Sequence, residues 1–179
     1  MSKLKLPINS SDHHLGNASA AITLVEYGDF ECPHCKHAHT LIKQLLKEKG
    51  NDIYFVFRNF PLREVHPYAY AAAITAEAAG GQGKFWEMHG LIFQNQDRLN
   101  TNLLMSLAKG IGLNMKQFAK DSKSNEIQDK IEMDFESGVR SGVNGTPGFF
   151  INGLSLFTYD ETYDSLLDAV ELESEIKRQ

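Results

Sequence analysis

The two cysteines of this 179-residue chain lie in one tetrapeptide, Cys32-Pro33-His34-Cys35. A disulfide between them closes a loop of about four residues, where the loop-entropy contribution to stability is near its smallest. The fold must therefore be held by a packed core, and the thiols are better read as chemistry. Their setting narrows the architecture. Ala21 to Tyr27 is β-branched and apolar, as a strand would be, whereas Ala38, Leu41, Ile42, Leu45 and Leu46 repeat at helical spacing. The thiols stand where a strand gives way to a helix.

A helix start presents unpaired backbone N–H groups and the positive end of the helix dipole, both of which favour an anion. Cys32 is therefore expected to ionise more easily than an ordinary thiol. Pro33 suits the first helical turn, where its missing N–H costs nothing. His34 stands between the sulfurs and is expected to donate a hydrogen bond to a thiolate. Cys35, a turn further in, would be shielded. The assignment is Cys32 as attacking nucleophile and Cys35 as resolving thiol, exchanging through a mixed disulfide.

A CxxC has two competing uses. A zinc site normally needs a second CxxC, which is absent, although His39, four residues past Cys35, leaves a Cys2His site as an alternative. Covalent haem attachment needs His after the second cysteine, and position 36 is Lys. No metal and no cofactor is expected.

Far along the chain, Gly145-Thr146-Pro147-Gly148-Phe149-Phe150-Ile151-Asn152-Gly153 sets a Thr-Pro bond before an apolar strand. Asn152-Gly153 suits a type I′ turn, with Leu154 to Phe157 as the returning strand. From these residues alone trans is the default at Pro147. Glu26 is a third candidate: strand alternation places it on one face with Ile22 and Leu24, where a buried side chain is expected. A desolvated carboxyl there would be held partly protonated and could exchange a proton with Cys35. The alternative is an edge-strand glutamate facing water.

Taken together, the strand ending Val25-Glu26-Tyr27-Gly28-Asp29-Phe30-Glu31, the Cys-Pro-His-Cys motif and Gly145-Thr146-Pro147 before a hairpin resemble the DsbA-like branch of the thioredoxin superfamily. The chain is similar in particular to the thioredoxin-type domain fused to some NhaA sodium/proton antiporters. Phe60-Pro61-Leu62, Val65-His66-Pro67, Phe85-Trp86-Glu87-Met88-His89 and Ser141 to Pro147 extend the likeness over roughly Ile22 to Val170. The resemblance implies an α/β class, a thioredoxin fold with an inserted helical domain. It also implies Cys32 and Cys35 as the active dithiol, a cis Thr146–Pro147 bond facing them, and Glu26 as a buried acid beneath.

Two departures stand out. Asp29 and Glu31 add carboxylates near Cys32, and negative charge raises a thiol pKa, so a less acidic nucleophile and a less oxidising couple are expected. Phe157 stands where the group often has Gly, which affects local hairpin packing.

Along the chain, residues 1–20 read as an N-terminal arm, 21–64 and 142–179 as the thioredoxin-fold domain and 65–141 as the helical insert. Ile53 to Phe57 is continuously apolar, as a strand covered on both faces would be. In the insert, an alanine-rich run ends at Gly80-Gly81, and Phe85, Trp86, His89, Ile92 and Phe93 form one stripe. Leu103 to Ile111 form another, and Ser124 is a cap for a helix carrying Ile127, Ile131 and Phe135. His89 and Trp86 are read as core, and His66-Pro67 as a helix-entry turn. Asp160 to Lys177 is an amphipathic helix whose glutamates are a solvated face.

A net charge of −5 argues against a phosphate-backbone partner, so no nucleic acid is expected. No 18-residue apolar stretch exists, and the first residues lack the apolar core of a secretory signal, so no membrane span and a cytoplasmic, monomeric protein are expected. The expected partners are protein or peptide substrates with thiols or disulfides, together with a redox partner of unassigned identity. Thr146 and Pro147 would hold the substrate backbone. In a reducing compartment the expected direction is reduction or isomerisation. The alternative is a redox-silent module that binds a peptide or an antiporter.

Overall fold

The computed structural model describes residues 2–178. Its framework is a five-stranded sheet in the order β1-β3-β2-β4-β5. β2 (Ile22–Gly28) and β3 (Ile53–Asn59) run parallel at the centre, with Glu26 opposite Phe57. Parallel neighbours need a crossover, and α1 (Pro33–Lys49) supplies it. β4 (Gly148–Ile151) lies antiparallel to β2, with Glu26 opposite Phe149. β5 (Leu154–Ser155) closes that edge through a turn whose Asn152 and Gly153 both have positive φ, 47° and 80°, as the Asn-Gly signal predicts. Pairing stops at Ser155, short of the expected Phe157, which stands 68 % exposed.

Both faces of β2 are covered, so the alternation expected of a half-buried strand gives way to burial along almost its whole length. On one face Ile22, Leu24, Phe55 and Phe57 pack with Cys35, Ala38, Ile42 and Phe93. Val25, Tyr27, Val56 and Phe150 pack on the other with Phe60. Gly138 permits close approach there, because a Cβ at that position would lie 2.7 Å from the Phe60 ring.

Residues 65–141 carry α2 (Ala69–Gly80), α3 (Phe85–Gln94), a 3₁₀ turn (Gln96–Arg98), α4 (Thr101–Gly110), α5 (Met115–Asp121) and α6 (Asn125–Arg140). Alanines let α2 pack closely on several sides at once. Ser124 caps α6 by accepting from the Ile127 N–H. The short α5 was not expected: its seven residues hold one buried apolar side chain, Phe118, too few to display a period. α7 (Tyr163–Arg178) begins three residues later than expected, because the Asp160 side chain accepts from Thr162 and forms a turn before the helix.

The expected arm, residues 1–20, contributes a short strand to the sheet. His13–Leu15 forms β1, antiparallel to β3. Asp12 makes two hydrogen bonds with Arg58, at 2.8 and 2.9 Å, with both side chains buried. A three-residue strand is too short to show periodicity, and Arg58 is the only charge in the otherwise apolar run of β3.

Candidate active site

Cys32 is the N-cap of α1, in extended conformation (φ −75°, ψ 122°), with Pro33 opening the helix. Its sulfur stands at the helix N-terminus, where the backbone N–H groups of Cys35 and His34 act to stabilise a thiolate. In its thiol form Cys32 donates to the Thr146 carbonyl at 3.3 Å. The Thr146–Pro147 bond is cis. The tertiary fold thus brings together two motifs 112 positions apart.

The two thiols are unequal. Cys32 is 4 % exposed and Cys35 not at all. The Cys32 thiol is lowered to about 5, mainly by the hydrogen bond from Cys35, against which burial acts upward; the Thr146 hydroxyl and the two N–H groups add to the lowering. In this geometry that hydroxyl has no hydrogen-bond partner among the described residues, so it is free to turn toward the thiolate. Cys35 is raised well above 9.0 by burial first, then by donating to Cys32 and by the charge of Glu26. Its sulfur also accepts the Asp29 N–H at 3.4 Å.

Glu26 lies beneath the pair, 2 % exposed. Burial raises its carboxyl to about 8, and the charge of Cys32 adds to the effect. It faces the same core as Ile22 and Leu24.

Two expectations are corrected by the geometry. His34 was expected to bond the thiolate with its imidazole; instead its Nδ1 pairs with Glu161 Oε1 at 2.9 Å, and only its backbone N–H serves Cys32. The same loop holds His37, whose Nε2 lies 2.8 Å from the Glu161 carbonyl. Asp29 and Glu31 were expected to raise the Cys32 pKa, yet their charges are engaged elsewhere. Asp29 is buried and accepts from the backbone of Glu31 and Leu62 while facing His66 Nδ1 at 2.8 Å. Glu31 accepts the Tyr68 N–H. The His39 ring, the third ligand of the Cys2His alternative, packs against His89 and Phe93.

Two further residues were missed. Gln96, in the insert, is buried and donates to the carbonyls of Phe30 and Cys32, each at 2.9 Å. Tyr159 stacks edge-on against Phe149, and its buried hydroxyl is raised by burial and by the charges of Glu26 and Cys35. A lone glutamine or tyrosine in a polar stretch carries no sequence signal for such a place.

A family model described as Thioredoxin matches residues 9–171. The chain belongs to the thioredoxin family. Its sequence is 42 % identical over 151 residues to the Na(+)/H(+) antiporter NhaA 1 of Salinispora arenicola, covering 84 % of this chain and 23 % of that protein. The antiporter NhaA of Herminiimonas arsenicoxydans is 38 % identical over 160 residues, covering 88 % and 25 %. The chain thus spans about a quarter of the length of these curated relatives. Among solved structures, a thioredoxin-like oxidoreductase from Silicibacter pomeroyi superposes with a TM-score of 0.84 at 25 % identity, covering 93 % of this chain and 94 % of that one. BdbD from Bacillus subtilis shares the fold, with a TM-score of 0.82 at 22 % identity over 96 % and 97 %. Within the thioredoxin family, then, this chain carries a run of helices between β3 and β4.

Proposed function

We propose that this protein is a thiol–disulfide oxidoreductase acting on protein or peptide substrates. The observation that carries the reading is the asymmetry of the pair: an acidified sulfur at the mouth of a helix, facing Thr146, with its partner fully buried behind it. The Cys32 thiolate attacks a substrate disulfide, forming a Cys32–substrate disulfide and releasing one substrate thiolate. Cys35, deprotonated with Glu26 as acceptor, then attacks Cys32 Sγ. The Cys32–Cys35 bond forms, the second substrate thiolate leaves, and two electrons have passed from the dithiol to the substrate. An external dithiol must restore the reduced pair. The kinship to a thioredoxin-like oxidoreductase supports this assignment.

Placed in the cytoplasm, the pair would rest as the dithiol. A couple near −120 mV against a glutathione poise of about −220 to −320 mV favours reduction by about 5–9 kcal/mol. Such a dithiol would isomerise client disulfides, or reduce those of still higher potential. A substrate chain lying along Thr146 and Pro147 would be held through its backbone, giving breadth rather than sequence specificity.

The kinship to antiporter-fused domains favours one second reading, a redox-silent module docked on a transporter or peptide. Among the described residues no helix is long and apolar enough to cross a membrane. Insulin reduction by the wild type and by Cys32→Ser separates the two: turnover lost in the variant supports the oxidoreductase, and absence of turnover in both overturns it.

A further inference from the structure

Asp29 is the first residue past β2, and its backbone meets both cysteines. Its N–H donates to Cys35 Sγ at 3.4 Å, and no other N–H among the described residues donates to that sulfur. Its carbonyl accepts the Cys32 N–H at 3.2 Å. The carboxylate is engaged on other partners. Oδ1 accepts the Glu31 N–H at 2.7 Å, and Oδ2 accepts the Leu62 N–H and faces His66 Nδ1, both at 2.8 Å. A carboxylate oxygen carries no hydrogen, so Nδ1 supplies the hydrogen of that last contact. His66 is thus the one side chain that bonds this buried acid among the described residues, beside two backbone donors.

His66 is itself held in place. Pro67 after it restricts its backbone to extended conformations. Its N–H donates to the Leu62 carbonyl at 2.9 Å, and its carbonyl accepts the Ala69 N–H at 3.2 Å. Glu31 accepts the Tyr68 N–H at 2.6 Å, so the segment between β3 and α2 is clamped to residues 29–31 twice.

We propose that His66 is a positioning residue for the resolving step: by fastening the Asp29 carboxylate to the segment before α2, it makes residue 29 present an N–H, and not a negative charge, to Cys35. The inference rests on the disulfide-exchange reading. Its need follows from burial. Cys35 has no exposed surface, and burial, Cys32 and Glu26 all hold its thiol up, while the Asp29 N–H acts to lower it. In the mixed disulfide Cys35 gives its proton to Glu26, and the thiolate attacks Cys32 Sγ. The Cys32–Cys35 bond forms as the Cys32–substrate bond breaks, and the substrate leaves as a thiolate. Negative charge therefore passes through a fully buried sulfur, where a hydrogen bond to the ion is strong. A loosened carboxylate on the neighbouring residue would oppose it. Cys32 depends on His66 far less, because Thr146 and the helix N–H groups serve its sulfur and Gln96 holds its carbonyl.

The test separates the donor from the ring. His66→Leu removes the donor, whereas His66→Asn keeps an N–H near the Nδ1 position. Two rates are read: glutathione release from a preformed Cys32–glutathione disulfide, which reports attack by Cys35, and iodoacetamide alkylation of Cys32 in the reduced protein. Release should slow by about fivefold or more in His66→Leu, the scale of one hydrogen bond, and stay within about twofold of wild type in His66→Asn. Alkylation should stay within about twofold of wild type in both variants. A smaller slowing in His66→Leu, an equal slowing of alkylation, or failure of His66→Asn to restore release overturns the proposal. Should His66→Leu fail to fold, His66→Ala leaves the same oxygen without its side-chain donor and is read identically. If the wild type releases no glutathione, the oxidoreductase reading fails by itself. Hydrogen exchange of the Asp29 N–H then decides the role of His66: the proposal expects it about tenfold faster in His66→Leu than in wild type, and an unchanged rate overturns it.

Discussion

The side-chain amide of Gln96 donates to the Cys32 carbonyl at 2.9 Å, so the helical insert holds the loop that carries the nucleophile. The same amide serves the Phe30 carbonyl. Replacing Gln96 with Leu leaves two carbonyls without this donor, at a cost of about 1–3 kcal/mol if both stay buried. A fall in thermal midpoint is expected, together with a change in Cys32 alkylation rate. An unchanged rate would show that the insert does not position the sulfur.

Thr146 is expected to contribute through its hydroxyl as well as its backbone. Thr146→Val keeps the shape and the carbonyl but removes a donor to the thiolate. A hydrogen bond to a charged group is worth about 1.5–3 kcal/mol, and one pKa unit about 1.4. The Cys32 midpoint should rise by about one unit or more, as read by thiolate absorbance against pH.

Asp12→Ala should destabilise the protein by about 3–5 kcal/mol, because it leaves the buried Arg58 guanidinium unpaired. The wild-type pair also carries a pH signature. Burial acts to raise the Asp12 carboxyl, but Arg58 outweighs it and the group titrates below 3.8. Its stabilisation is complete above 3.8 and is lost as pH falls through the lower folded value. Urea unfolding across that range should show the loss in wild type and not in the variant.

Glu161 holds the His34 imidazole and raises its pKa above 6.5, chiefly by hydrogen bonding. Glu161→Gln should lower the His34 midpoint toward 6.5 in an NMR titration. No movement would mean that the contact is not kept in solution.

Much of this arrangement could be read from the chain. The strand-to-helix junction at Cys32, the Asn152-Gly153 turn and the Ser124 cap are local signals, each set by residues within a few positions of one another. The burial of Glu26 followed from its neighbours in β2. What escaped depends on partners distant in sequence. Asp29 and Glu31 look like free acids near a thiol until Leu62, His66 and Tyr68 fold against them. His34 sits beside both sulfurs in sequence, yet Glu161 turns its ring away. The first twenty residues look extended because their sheet contacts are short, three residues against β3 and a single bridge from Lys3 to Leu154, and the Asp12–Arg58 pair joins positions 46 apart.

The central claim is that Cys32 is an anion near neutral pH because Cys35, Thr146 and the helix N-terminus converge on it. The direct measurement is the pH dependence of iodoacetamide alkylation in reduced, folded protein, with the modified residue identified by mass spectrometry. The account predicts labelling of Cys32 with a midpoint near 5, shifted upward in Cys35→Ser, which removes the largest contribution. A midpoint near the ordinary thiol value of 9.0, or preferential labelling of Cys35, would contradict it.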